Sequence, residues 1–156
     1  MSKEVWLIAL VQLINRSGMM VLPFLTLYLT KDLDWTLSMA AIAGTSFGLG
    51  GLVSAMIGGF LVDRYPIFKI MVLSLIGGGL CFIVLTWING FIPFVIWIFI
   101  TTTIADILRP AAMGAITEFS NETNLARGIS LLRMAINLGF SIGPFLAGLL
   151  IVSIGY

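Results

Sequence analysis

The sequence predicts an all-α integral membrane protein with five transmembrane helices. Three observations predict it. Of 156 residues, 60 % are apolar and 10 % charged, against about 45–50 % and about 25 % in soluble domains, and mean hydropathy is +1.13. The apolar residues gather into five continuous stretches, each meeting the roughly 20 residues a helix needs to cross hydrocarbon. The connections are short and carry turn-forming residues. Outer-membrane strands are disfavoured, because they alternate over about ten residues.

The first span, Val5–Thr30, is too long for a signal-peptide core and lacks a small-residue cleavage site, so it is read as retained. It carries Gln12, Asn15 and Arg16. Gln12 and Arg16 are one helical turn apart, and Met19 and Pro23 continue the same face. A charge at bilayer depth costs at least about 2.5 kcal/mol. That face must therefore meet partner helices or a wet cavity. Lys31–Asp34 connects to the second span, Leu37–Val62, which holds Gly44, Gly48, Gly50, Gly51, Gly58 and Gly59. Small residues let helix backbones approach closely. Asp63–Pro66 turns the chain into the third span, Ile67–Trp87, and Asn89-Gly90 into the fourth, Phe91–Phe119.

The fourth span carries Asp106 and Arg109, whose spacing of three shares a face and permits an ion pair. Thr102 and Met113 continue the stripe. Pro110 has no N–H, so the carbonyl of Asp106 loses its helical partner, and the carboxylate sits at the same weakened turn. Ser120–Asn124 leads to the fifth span, Ala126–Tyr156, with Arg133, Asn137 and Ser141 spaced by four. Arg133 is close enough to the span's end to snorkel. Gly139 and Gly143 form a close-packing pair, and Pro144 bends the helix. No connection has room for a soluble domain, so residues 1–156 are read as a single transmembrane domain.

Positive charges set orientation. Lys3, Arg64, Lys69 and Arg127 fall on one side and Lys31 on the other, which predicts a cytoplasmic N-terminus. There is no His and one Cys, Cys81. A Cys₂His₂ zinc site, a disulfide framework and a Ser-His-Asp triad are excluded, and no metal or cofactor is expected. A net charge of +1 gives nucleic acid nothing to bind. Without a nucleophile paired to a base, an enzyme is not expected. For Arg16, Asp106 and Arg109 the expected role is a solute or proton path. For Asn15, Asn137 and Ser141, hydrogen bonding between helices competes with it.

The first and fourth spans each carry an intramembrane arginine, Arg16 and Arg109. The second and fifth are glycine-rich, with Gly48 and Gly139 at nearly the same offset. The paired spans would run in opposite directions, the mark of an inverted-topology repeat of three helices. The third span has no counterpart.

Three motifs resemble the N-terminal half of a major facilitator superfamily transporter, most like its drug:proton antiporter branch. After the second span, Gly59, Asp63, Arg64 and Lys69 fit the cytoplasmic loop motif, with Pro66 where the family has Gly and Ile67 where it has a base. In the fourth span, Arg109-Pro110-Ala111-Ala112-Met113-Gly114 is similar to the motif whose arginine serves proton coupling, with Met113 at a polar position. In the fifth, Gly139, Gly143, Pro144 and Gly148 follow the antiporter motif Gly-x-x-x-Gly-Pro-x-x-Gly-Gly, with Ala147 replacing one Gly.

The resemblance implies a partial N-terminal six-helix half of the twelve-helix fold, a multi-pass location in the plasma membrane of bacterial inner-membrane type, and alternating access around a midplane site. It implies that Asp63 and Arg64 latch onto a missing C-terminal half. The other implied partners are the lipid bilayer, a small-molecule substrate and protons. The activity it implies is proton-coupled efflux of drugs or small hydrophobic solutes. Burial favours a protonated carboxyl and a nearby cation the charged form, so Asp106 is the expected proton-responsive group and Arg109 its modulator. Arg16, Gln12 and Asn15 would line the cavity, with Met19, Met20 and Phe24 against an apolar substrate. The alternatives are a carrier of a defined sugar or organic anion, with Arg16 on the anion, and an inactive remnant or membrane scaffold.

Overall fold

A computed structural model of the chain describes residues 2–18 and 21–154, and the side chains of all these except 21–24, 147 and 150–154. The regular structure of the described residues is all helical, with no strand among them. The helices are α1 (Lys3–Gly18), α2 (Val21–Lys31), α3 (Leu37–Arg64), α4 (Ile67–Leu85), α5 (Phe91–Asp106), α6 (Leu108–Phe119) and α7 (Glu122–Ile154). Among the described residues four segments are long and apolar enough to cross a membrane: Leu37–Arg64, Ile67–Leu85, Phe91–Phe119 and Glu122–Leu146.

The helix ends correct several expected boundaries. The first expected span falls across α1 and α2, of 16 and 11 residues, each short of the roughly 20 needed; Met19 and Met20 lie outside the described residues. The second runs on through Asp63 and Arg64, because Tyr65, the residue before Pro66, is held extended at φ −128°, ψ 154° and ends the helix there. Asp63 and Arg64 are thus last-turn helix residues, not loop residues. The third ends at Leu85. The fifth starts at Glu122, where the Asn121 carbonyl accepts from Asn124 and Leu125 N–H. The fourth is interrupted: α5 ends at Asp106 and α6 begins at Leu108. Pro110 cannot donate to the Asp106 carbonyl, which fixes the break at that turn.

The chain forms two compact units. One comprises Met1–Asp34 with Ala115–Tyr156, the other Trp35–Gly114. In the first, α1 and α7 run parallel. The Ser2 hydroxyl donates to the Phe119 carbonyl at 3.2 Å, Val5 lies beside Gly128, and Leu13 and Ser17 lie beside Gly139. Val5, Ile8, Ala9, Gln12 and Arg16 form the buried stripe of α1. Trp6, Leu7, Leu10 and Ile14 are exposed. Two buried polar groups with large apolar groups outside depart from the pattern of a soluble helix and suit a hydrocarbon solvent.

In the second unit α5 lies between α3 and α4. Ser46 donates to the Val95 carbonyl at 2.8 Å and Thr103 to the Gly50 carbonyl at 3.3 Å, so α3 and α5 run parallel. Trp97 Nε1 donates to the Cys81 carbonyl at 2.9 Å and Ser74 to the Ile104 carbonyl at 2.9 Å, so α4 and α5 run antiparallel. Trp35 packs edge-on against Phe91 and Phe94, with ring centroids 5.4 and 5.3 Å apart.

Glycine sets the spacing of α3 on α5 and α6. A Cβ on Gly50 would strike the Thr102 hydroxyl and lie 2.7 Å from the Phe99 carbonyl oxygen, and one on Gly58 would strike Pro110. A Cβ on Gly44, Gly48 or Gly59 would meet nothing within 4 Å. Gly50→Ala should therefore lower stability by about 1–3 kcal/mol through overpacking. Gly48→Ala should leave stability unchanged or slightly raised, since Ala is the better helix former. Thermal unfolding in detergent micelles separates them, and the reverse order of stabilities would show the seam to be misplaced.

Candidate functional site

In an apolar chain, the side chains that cannot face lipid mark the candidate site. Within the first unit these are on α1. Gln12 and Arg16 are each 1 % exposed, as their shared face requires. The Arg16 guanidinium carbon lies 5.7 Å from the centre of the Phe140 ring, within the range of cation–π attraction. Both amide atoms of Gln12 are buried with no hydrogen-bond partner among the described residues, as is Oδ1 of half-buried Asn15. Water or a solute is the natural partner for such groups. Of the expected substrate contacts, Met19 and Met20 lie outside the described residues, and so does the side chain of Phe24.

Asn137 and Ser141 are exposed on α7, as is Arg133. The face packed on α1 carries Leu132, Ala135 and Gly139 instead. Ser141 donates to the Asn137 carbonyl at 3.0 Å. Gly143 is buried, whereas Gly148 has no described atom within 4 Å of a built Cβ. The fifth-helix motif thus serves close packing at Gly139. A Cβ on Gly48, the glycine at nearly the same offset in the second span, would meet nothing within 4 Å.

Within the second unit the site is built around the α5–α6 break. Asp106 is 5 % exposed. Its Oδ2 lies 3.9 Å from Arg109 Nη1, and the Arg109 side chain is 57 % exposed. The carboxylate is thus held inside while its cation reaches outward. The spacing of three does bring the pair together. A Cβ on Gly51 would lie 3.3 Å from Asp106 Oδ2, so the missing side chain makes room for the carboxylate beside α3. Thr102, one turn earlier, is buried and donates to the Ile98 carbonyl at 2.9 Å.

Ser74 and Ser54 are polar residues the sequence reading did not single out. The Ser74 hydroxyl is shared between the carbonyls of Ile104 and Ala105, at 2.9 and 3.1 Å. It supplies a donor from α4 just before the helix break, the kind of support that backbone interruptions in membranes need. Ser54 Oγ is buried with no partner among the described residues. The signal for both was a spacing of four: Ser46, Gly50, Ser54 and Gly58 are all buried along α3, and Ile70, Ser74 and Gly78 along α4.

The loop-motif residues Asp63, Arg64 and Lys69 are exposed, and the Arg64 guanidinium carbon sits 4.2 Å from the centre of the Phe60 ring. Among the described residues no cluster of His, Cys, Asp and Glu could hold a metal ion.

Neither the curated proteins nor the solved structures give a match to this chain. The family model of the Major Facilitator Superfamily matches residues 5–156, a stretch that takes in every helix carrying the buried polar groups described above. This helical chain, with polar groups buried among apolar ones and large apolar side chains exposed, is matched over nearly its whole length and belongs to the major facilitator superfamily.

Proposed function

We propose that the chain is part of a proton-coupled transporter that exports drugs or small hydrophobic solutes by alternating access. Membership of the superfamily indicates a membrane transporter. The observation that carries the finer reading is Asp106, a buried carboxylate 3.9 Å from an arginine that reaches outward. A proton arriving at Asp106 would weaken its attraction to Arg109 and loosen the pair. The adjacent break, where α5 ends and α6 begins, is the natural place for that movement.

In this reading α1 and α2 together make a fifth crossing, the N-terminus is cytoplasmic, and Asp63 and Arg64 latch onto a further helical half. Gln12, Asn15 and Arg16 line the solute path. Their burial also favours a second reading, transport of a defined organic anion, because Arg16 suits a carboxylate or phosphate.

The test is Asp106→Asn in the protein reconstituted in liposomes. Flux driven by a pH gradient should fall to the level of passive leak, while substrate binding persists. Undiminished pH-driven flux would remove Asp106 from proton coupling. Binding confined to carboxylated or phosphorylated solutes would favour the second reading.

A further inference from the structure

In the second unit, a cleft of about 350 Å³ opens between the end of α3, the first half of α4 and the end of α5. That size lies within the roughly 300–1,000 Å³ of small-ligand sites. Leu61 and Ile70 line it beside α3 and α4, and Ile104 and Ile107 line it from the α5 side. At its buried floor Ser74 has already committed its hydroxyl to two backbone carbonyls. The floor therefore has no hydroxyl proton to give a polar solute.

The other polar groups of the cleft are at its rim. Tyr65 and Lys69 are both exposed there, with Leu73 beside them. Tyr65 is the residue that ends α3, and Lys69 lies in the first turn of α4. Both stand at helix ends, the level of the lipid headgroups, where Tyr and Lys anchor helices. Asp63 and Arg64, on the last turn of α3, offset each other in charge, which leaves Lys69 as the net charge of the rim. Pro66 gives the N-terminus of α4 no side-chain cap, and the positive end of the helix adds to the Lys69 charge.

An apolar trough with one cation at its headgroup end matches an amphiphile with a negative head. We propose that this cleft binds an anionic glycerophospholipid. The phosphate would sit at the Lys69 ammonium and the Tyr65 hydroxyl, and one acyl chain would lie along Leu73, Ile70 and Ile104. The proposal does not depend on Asp106 or on proton coupling.

Native mass spectrometry of the chain released from micelles, with equal phosphatidylglycerol and phosphatidylcholine added, tests it. The wild type should retain phosphatidylglycerol in preference, and Lys69→Gln should lower that preference about fivefold. Lys3→Gln, in the other unit, should leave it unchanged. Leu73→Trp changes an exposed rim side chain, so the fold should tolerate it, and it should reduce retention of both lipids by filling the trough. Glycerol phosphate, the headgroup without chains, should not compete. The proposal is overturned if Lys69→Gln keeps the wild-type preference, if Lys3→Gln abolishes it equally, or if glycerol phosphate displaces the lipid. It is also overturned if Leu73→Trp blocks a small apolar solute while phosphatidylglycerol retention is unaltered.

Discussion

Gly139→Val should loosen α1 from α7 and cause the largest loss of stability among single substitutions in the first unit. A Cβ at Gly139 would lie 2.8 Å from the Leu13 carbonyl oxygen, 3.1 Å from the Ser17 amide nitrogen and 2.7 Å from Arg16 Cβ. Two of these atoms are backbone and cannot swing away, so the helices must separate. Overpacking of this kind costs about 1–3 kcal/mol, and a β-branched side chain adds bulk beyond the Cβ. Separation would also expose the Arg16 face, whose burial depends on the same contact. Gly148→Val is the control, because a built Cβ there meets no described atom within 4 Å. Thermal unfolding in micelles should show a large drop for Gly139→Val and little change for Gly148→Val. Equal curves for Gly139→Val and wild type would mean that the two helices do not approach this closely.

Gln12→Met should have the opposite sign, raising stability while lowering transport. Gln12 is 1 % exposed and neither amide atom has a described partner. A buried polar group left unsatisfied costs about 1–3 kcal/mol. Methionine is unbranched and adapts to the same space, so it should recover roughly that amount. If Gln12 lines the solute path, flux in liposomes should fall at the same time. The two measurements have distinct meanings. A less stable Gln12→Met would show that the amide bonds to something in the folded protein, such as water in the cavity. A more stable variant with full flux would take Gln12 out of the path.

Much of the candidate site was legible because it depended on local chemistry. The spacing of Asp106 and Arg109 predicts their pairing, and Pro110 predicts a weakened turn at Asp106, since a missing N–H acts on a carbonyl four residues away. Gln12 and Arg16 share a buried face because the helical period places them there. That the Arg109 side chain is exposed was not legible, because exposure depends on what packs against the helix and not on position along it. Arg133, Asn137 and Ser141 share an exposed face of α7, and their spacing alone does not show that the face packed on α1 is another one.

The glycines mark the same division. A glycine-rich span signals close packing, but six glycines lie along α3, and a shift of two residues rotates a side chain to nearly the opposite face. Gly50 and Gly58 meet α5 and α6, while Gly44, Gly48 and Gly59 stand open. That choice follows from the rotational phase of each helix and from its partner. Ser74 shows it again: its hydroxyl supports the helix break only because α4 runs antiparallel to α5 and brings it to Ile104 and Ala105.

By itself, then, the sequence determined the solvent, the helical class, the weakened turn at Asp106 and the Asp106–Arg109 pair. All of these follow from hydropathy summed over a window or from bonds within one or two turns. Only the tertiary structure decided which glycines bear the seams, which polar groups are buried and which serine supports the interrupted helix. Those depend on contacts between residues tens of positions apart, which the phase and pairing of the helices create.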